Sequence, residues 1–246
     1  MANSYFQFKK FTIHQQHCAM KVTTDGCLFG AWIAFACNEN PDYTGTIPSV
    51  LDVGTGTGLL SLMLSQKLNC VIDAIEIDEA SCAQANDNVN GSPWKNNINV
   101  IHADAKNFTL TKRYDIIASN PPFYEKDLRS GNISKNKAHH DESLLLHELL
   151  VVIKENMSTT GRFFLLLPYR RNKEMEKIFN AAGLHIHQKI FVSSSKTHQP
   201  FRIMVEGATA GDNDKQTLIE EMVIKNEQGK YTEVFTRFLK DYYLHL

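Results

Sequence analysis

The chain has no run that approaches the ~20 consecutive apolar residues of a membrane-spanning helix. Its first residues, MANSYFQFKKFTIHQQH, lack the apolar stretch of a secretory signal peptide. Five cysteines (Cys18, Cys27, Cys37, Cys70 and Cys82) make an odd set with no C-x-x-C spacing. A disulfide framework and a zinc site are therefore not expected, and the thiols read as the reduced cysteines of a cytoplasmic protein. Charge excess is missing as well: the formal net charge is −1, so the chain as a whole is no basic nucleic-acid binder. Internal repeats and low-complexity tracts are absent. So is any partner, at metal-ligand spacing, for the adjacent His139 and His140; no metal is expected.

What remains is an ordinary globular composition. The 246 residues, 43% hydrophobic, suffice for one substantial domain with a sizeable core. Short apolar runs alternate with helical patterns. The spacing predicts strands at 49–53, 71–77, 98–102, 114–118, 162–167, 184–192 and 201–206. Helices are predicted over 59–68, 79–89, 143–156 and 173–182. This order indicates a doubly wound, mostly parallel, seven-stranded sheet with helices on both faces. In such sheets ligands sit outside the carboxyl ends of the strands, and the informative residues should follow the strands.

They do. Leu51-Asp52-Val53-Gly54-Thr55-Gly56-Thr57-Gly58 leaves the first core strand and opens a helix. Its spacing is G-x-G-x-G, not the G-x-G-x-x-G of a dinucleotide site, which disfavours a nicotinamide-dependent oxidoreductase. Glu76 ends the next strand, where a carboxylate can accept from two ribose hydroxyls. Asp104 and Ala105 follow the third, where a carboxylate and a backbone N–H can meet an adenine edge. Asp78 reads as a helix N-cap. The glycine turn preceded by an acid resembles the first motif of class I S-adenosyl-L-methionine-dependent methyltransferases. In that reading Asp52 suits the cationic methionyl end of the cofactor.

The fourth strand exits through Asn120-Pro121-Pro122-Phe123. Proline terminates strands, so a plain loop is the simplest account. Beside a methyl donor, however, the Asn120 side-chain oxygen and the Pro121 carbonyl can each accept one N–H of a conjugated amino group. Phe123 offers a face for a flat base. The motif resembles that of amino-group methyltransferases acting on adenine N6, cytosine N4 or protein glutamine.

The run Cys18-Ala19-Met20-Lys21-Val22-Thr23-Thr24-Asp25-Gly26-Cys27-Leu28-Phe29-Gly30 narrows this. Together with Asp73-Ala74-Ile75-Glu76, the Asn88 to Trp94 segment and the Tyr242-Tyr243-Leu244 ending, it resembles the bacterial tRNA1(Val) adenine-N6 methyltransferases over nearly the whole chain. Thr23 departs from the common glycine, and Phe123 stands where tyrosine also occurs. The resemblance implies a Rossmann-like single domain over 1–246. Its parts are an N-terminal segment (1–46) covering the cofactor and substrate side, a core (47–207) and a C-terminal extension (208–246). It also implies methylation of the adenosine next to the anticodon, and cofactor contacts from Thr24 and Gly26. The tRNA anticodon stem-loop is the expected partner, met by a monomer. Pro122 and the basic stretch Lys126, Arg129, Lys135 and Lys137, directly after the motif, are expected to meet the RNA. Two alternatives stay open: a protein glutamine N5-methyltransferase, and a non-catalytic tRNA-binding protein with a vestigial cofactor fold.

Overall fold

A computed structural model describes residues 3–38, 47–108, 112–121, 146–209 and 216–246. An N-terminal hairpin, β1 (Tyr5–Gln7) and β2 (Thr12–His14), precedes helix α1 (Thr24–Asn38). The core then runs β3 (Ser49–Val53), α2 (Leu59–Lys67), β4 (Val71–Glu76), α3 (Glu79–Asn90), β5 (Ile98–His102) and β6 (Tyr114–Ser119). It continues through α4 (Leu146–Asn156), β7 (Met157–Pro168), α5 (Asn172–Ala181), β8 (His185–Ser195), β9 (Arg202–Ala208), β10 (Leu218–Lys225) and α6 (Glu233–Leu239).

The large sheet has the order β10-β8-β9-β7-β6-β3-β4-β5. β9 is antiparallel to both neighbours and every other pairing is parallel. The expected doubly wound sheet is thus present, with one correction: it has eight strands, not seven. The added edge strand, β10, lies in the C-terminal extension. It escapes a pattern reading because its first four residues are all exposed and give no alternation.

Strand parity assigns the two faces. Val50, Ile72, Ile116, Phe164 and Met204 pack with α1, α2 and α6. Leu51, Ile75, Ile117, Phe163 and Val205 pack with α4 and α5. A residue at 52 shares the face of Val50, so Asp52 is carried under α2. The strand expected at 162–167 begins earlier, at Met157, directly out of α4. The register jumps there: Tyr114 pairs with Met157 and Ile116 with Arg162. Gly161 sits in this irregularity, where an added Cβ would lie 2.9 Å from the Tyr114 carbonyl oxygen. It is a close approach in the interior of β7.

Candidate active site

The carboxyl ends of β3, β4, β5 and β6 converge on the glycine turn and Asn120. Gly54, Gly56 and Gly58 have φ of 72°, 57° and 80°, a region that L side chains enter at a cost. The turn is fastened to the end of β4. The Ile75 carbonyl accepts from the N–H groups of Gly54 and Thr55 at 2.9 and 3.0 Å. Nothing lies within 4 Å of where a Cβ on Gly54 or Gly56 would be. The bare backbone therefore borders open space at the strand ends.

Glu76 is nearly buried, at 9% exposure, and its carboxylate accepts three backbone N–H groups. Gly56 donates to Oε2 at 2.8 Å; Ile77 and Asp78 each donate to Oε1 at 3.0 Å. A carboxylate has about four acceptor positions, so capacity for a further donor remains. Asp78 caps α3, accepting from the Ser81 N–H at 2.9 Å, as its place before the helix predicted.

Asp52 holds the turn from beneath. It is fully buried beneath α2, and its Oδ2 accepts from the hydroxyls of Thr55 and Ser61, both at 2.7 Å. Its Oδ1 has no partner among the described residues. Burial pushes its carboxyl up to about 6, against the lowering effect of the two hydroxyls. Asp52 thus ties strand, turn and helix together, and keeps one unsatisfied oxygen. Asp104 is half-buried in a tight turn after β5, accepting from the Lys106 N–H and the Asn107 amide. Ala105, the next residue, packs on the α4 side of the sheet.

Asn120 follows Ser119, whose buried hydroxyl donates to the Val53 carbonyl at 2.7 Å. That bond locks the end of β6 to the end of β3, one residue before the glycine turn. Pro121 is buried. Gly26, in the first turn of α1, explains how the N-terminal segment reaches this point. An added Cβ would lie 3.5 Å from Leu59 Cδ2 and 3.6 Å from the Asn120 amide nitrogen. These are ordinary van der Waals separations, so the first turn of α1 lies directly against Leu59 and the Asn120 amide. Thr23, where a glycine was the common residue, caps α1 by accepting from the Gly26 N–H at 3.2 Å.

Thr24 is exposed in the first turn of α1 and interacts with Tyr243 of the C-terminal segment. Lys21 is structural, donating to the backbone carbonyls of Gln15 and Cys18. Phe123, Pro122, Lys126, Arg129, Lys135 and Lys137 lie outside the described residues.

Several contributors were not singled out from sequence. Buried Asn88 donates to the carbonyls of His14 and Thr57 and accepts from the His14 N–H, all at 2.8–2.9 Å. It joins the N-terminal hairpin to the glycine turn. The Cys18 thiol approaches the Gly56 carbonyl at 3.8 Å. Ser61 had one visible signal, a polar residue within the apolar first half of α2. Among the described residues no group of three potential ligands could hold a metal ion, and no helix is long and apolar enough to cross a membrane.

Comparison with known proteins agrees with this layout. Residues 42–184 match the methyltransferase small domain family. The tRNA1(Val) (adenine(37)-N6)-methyltransferase of Parabacteroides distasonis is 36% identical, covering 100% of both chains. That of Serratia proteamaculans is 35% identical over 97% of this chain and 89% of its own. Among solved structures, a predicted O-methyltransferase of Agrobacterium tumefaciens superposes with a TM-score of 0.62 at 12% identity, covering 87% of this chain and 95% of that one. The glycopeptide N-methyltransferase MtfA in complex with S-adenosyl-L-methionine gives 0.53 at 14% identity, covering 74% and 94%. These two likenesses concern the fold. The matches over full length do more: the chain belongs to the methyltransferase small domain family and, within it, to the tRNA1(Val) (adenine(37)-N6)-methyltransferases.

Proposed function

We propose that this protein transfers the methyl group of S-adenosyl-L-methionine to the N6 amino group of adenosine 37, beside the anticodon of tRNA1(Val). The observation that carries the reading is Asn120 fixed, through Ser119 and Val53, against a glycine turn whose bare backbone faces open space. Two features fit the cofactor. Gly54 and Gly56 leave a cradle that side chains would fill, and Asp52 keeps a buried carboxylate oxygen without a partner. Glu76 and Asp104 would hold its ribose and adenine. Gly56 and Ala105 would contribute backbone, and Gly26 the wall on the α1 side.

When bound, the cofactor supplies an electrophilic methyl on a sulfonium centre. The chain's own residues solve the other half of the problem. The N6 lone pair of adenine is delocalised into the ring and nucleophilically poor. The Asn120 side-chain oxygen and the Pro121 carbonyl each accept one N–H, which aims the lone pair and favours a pyramidal nitrogen in the transition state. The nitrogen grows acidic only as it is alkylated, so no strong base is needed. Phe123 would stack on the base, and the anticodon loop presents it without a duplex to open.

The test is methyl transfer from labelled cofactor to tRNA lacking the modification. N6-methyladenosine at position 37 of tRNA1(Val) is the expected product. Label in a protein glutamine instead would overturn the reading, and no cofactor binding at all would mark a vestigial fold.

A pH prediction follows from Asp52. Its folded carboxyl lies at about 6, above the ordinary 3.8. Ionising it therefore costs stability, by at most about 3 kcal/mol, as the pH rises from about 4 to about 6. A cationic ligand end near Oδ1 favours the ionised form. Cofactor affinity should therefore fall as the pH drops below about 6. Asp52→Asn should bind more weakly at neutral pH and show a flatter profile, while the ligand-free variant melts no lower than wild type at pH 7.5. Calorimetric titrations across pH 5–8 check this; an unchanged profile in Asp52→Asn would remove Asp52 from the cofactor site.

A further inference from the structure

The sheet's carboxyl edge continues well past Asn120, and its charge changes along the way. β6, β7, β8 and β10 all point their carboxyl ends the same way, and antiparallel β9 begins at that edge. The topology therefore gathers Arg170 (after β7), Lys196 (after β8), Arg202 (start of β9) and Lys225 (end of β10) on one rim. Ser195 pairs with Lys225, and Arg202 with both Pro168 and Val192, so these residues are neighbours across strands. Arg170, Lys196 and Lys225 are exposed.

Two acids beside this rim are paired, and Glu227, in the turn after β10, is exposed. Asp25 of α1 accepts from Arg202 Nε at 2.8 Å, and Glu174 lies 3.6 Å from Arg171. At the other end of the same strands Glu220 and Glu221 are exposed near the start of β10, while Glu206, near the end of β9, is buried and paired with Arg162. Along β10 the charge therefore runs from acidic at its start to basic at its end, beside the rim. An aromatic face accompanies the cations. Phe201 is 39% exposed between Lys196 and Arg202, and its carbonyl accepts from the Tyr169 N–H.

We propose that this rim is the docking surface for the RNA stem that carries the target loop, read through its phosphates. The inference rests on the functional reading above and adds where the polynucleotide lies. Strands are about 4.8 Å apart, so the rim extends from roughly 5 Å (β7) to roughly 20 Å (β10) sideways from β6. Its outer part is too far for the phosphate of a base seated at Asn120, and it suits the backbone of the flanking stem. The cations come from separate strand ends on a rigid sheet, which fixes register without reading sequence. The Asp25–Arg202 pair joins the rim to the helix turn that faces Asn120, so stem docking and base placement share one frame.

The experiment compares Arg170→Ala/Lys196→Ala/Lys225→Ala with a charge-matched control, Lys95→Ala/Lys154→Ala/Lys177→Ala, whose residues are exposed elsewhere. Direct binding of unmodified tRNA1(Val) is measured between about 50 and 200 mM salt, with cofactor affinity and melting temperature alongside. The rim variant should bind tRNA about 10–100-fold more weakly at low salt, with a salt slope smaller by about 2. The control should match wild type, and cofactor affinity should not move in either. A short oligonucleotide holding only the anticodon loop should bind wild type and rim variant alike. A rim variant with wild-type tRNA affinity and slope would overturn the proposal, as would equal loss in the control. Because RNA binding is read directly, the outcome for the rim does not depend on which nucleotide is methylated.

Discussion

Asn120→Ala is expected to lower the single-turnover rate of methyl transfer about 10²–10³-fold, the usual loss when one transition-state partner of a developing charge is removed. Cofactor affinity should be unchanged, because no cofactor contact is assigned to the side chain. The fold should persist as well: Ser119, not Asn120, ties β6 to β3. The effect belongs on the chemical step because the acceptor matters most when the amino nitrogen becomes pyramidal and its N–H groups become acidic. Asn120→Asp would keep an acceptor oxygen and add a charge beside the adenine, so partial activity is expected. Gly26→Ala gives an independent check. Its Cβ would lie 3.1 Å from Thr23 Oγ1, so that capping hydroxyl must give slightly, while the Asn120 amide nitrogen at 3.6 Å stays in ordinary contact. A small loss of rate, with a small loss of cofactor affinity from the crowded α1 wall, is the expected result. If Asn120→Ala retains most of the wild-type single-turnover rate with saturating tRNA, Asn-Pro-Pro-Phe is only a strand terminator.

Much of this arrangement is legible in the sequence for a physical reason. A parallel strand buried on both faces appears as a short apolar run, and the residues after it must turn sharply, so glycine, acid and proline signals are concentrated there. That is why Glu76, Asp104 and Asn120 can be placed at the strand ends by position alone. The role of Asp52 cannot be read so, because nothing in one dimension says that parity carries residue 52 under α2 onto Ser61. The hairpin β1–β2 is equally hidden. Its anchor, Asn88, lies 74 residues away and works through backbone carbonyls that carry no side-chain signature. β10 is hidden because an edge strand need not alternate, and so is the interaction of Thr24 with Tyr243, at the far end of the chain. Long-range pairing is the common element in each of these.

Glu76→Ala should be the most damaging change to cofactor binding, with a loss of about 100-fold or more. The carboxylate does two things at once. It fixes the backbone of the glycine turn through Gly56, and it fixes the start of the next loop through Ile77 and Asp78. Each such charge-assisted bond contributes about 1.5–3 kcal/mol, and about 1.4 kcal/mol is tenfold in affinity. Losing the ribose acceptor and the shape of the turn together accounts for two orders of magnitude without any other contact. Part of the loss must also appear in the ligand-free protein, since the three bonds exist without ligand. Its melting temperature should drop by roughly 3–12 °C, for about 1.5–3 kcal/mol in a chain of this length. Glu76→Gln separates the two jobs. One amide oxygen can serve either Gly56 or the Ile77 and Asp78 pair, so stability should fall less than in the alanine variant. Affinity should still fall by at least tenfold, because the amide cannot accept from the turn, the loop and two ribose hydroxyls together. Calorimetric titration with S-adenosyl-L-methionine, paired with thermal melts, reads both quantities. Wild-type affinity in Glu76→Ala would leave the glutamate as a fastener of the turn and move the ribose site elsewhere. A lowered affinity with an unchanged melting temperature would mean the reverse: a cofactor ligand whose three backbone bonds contribute little to the fold.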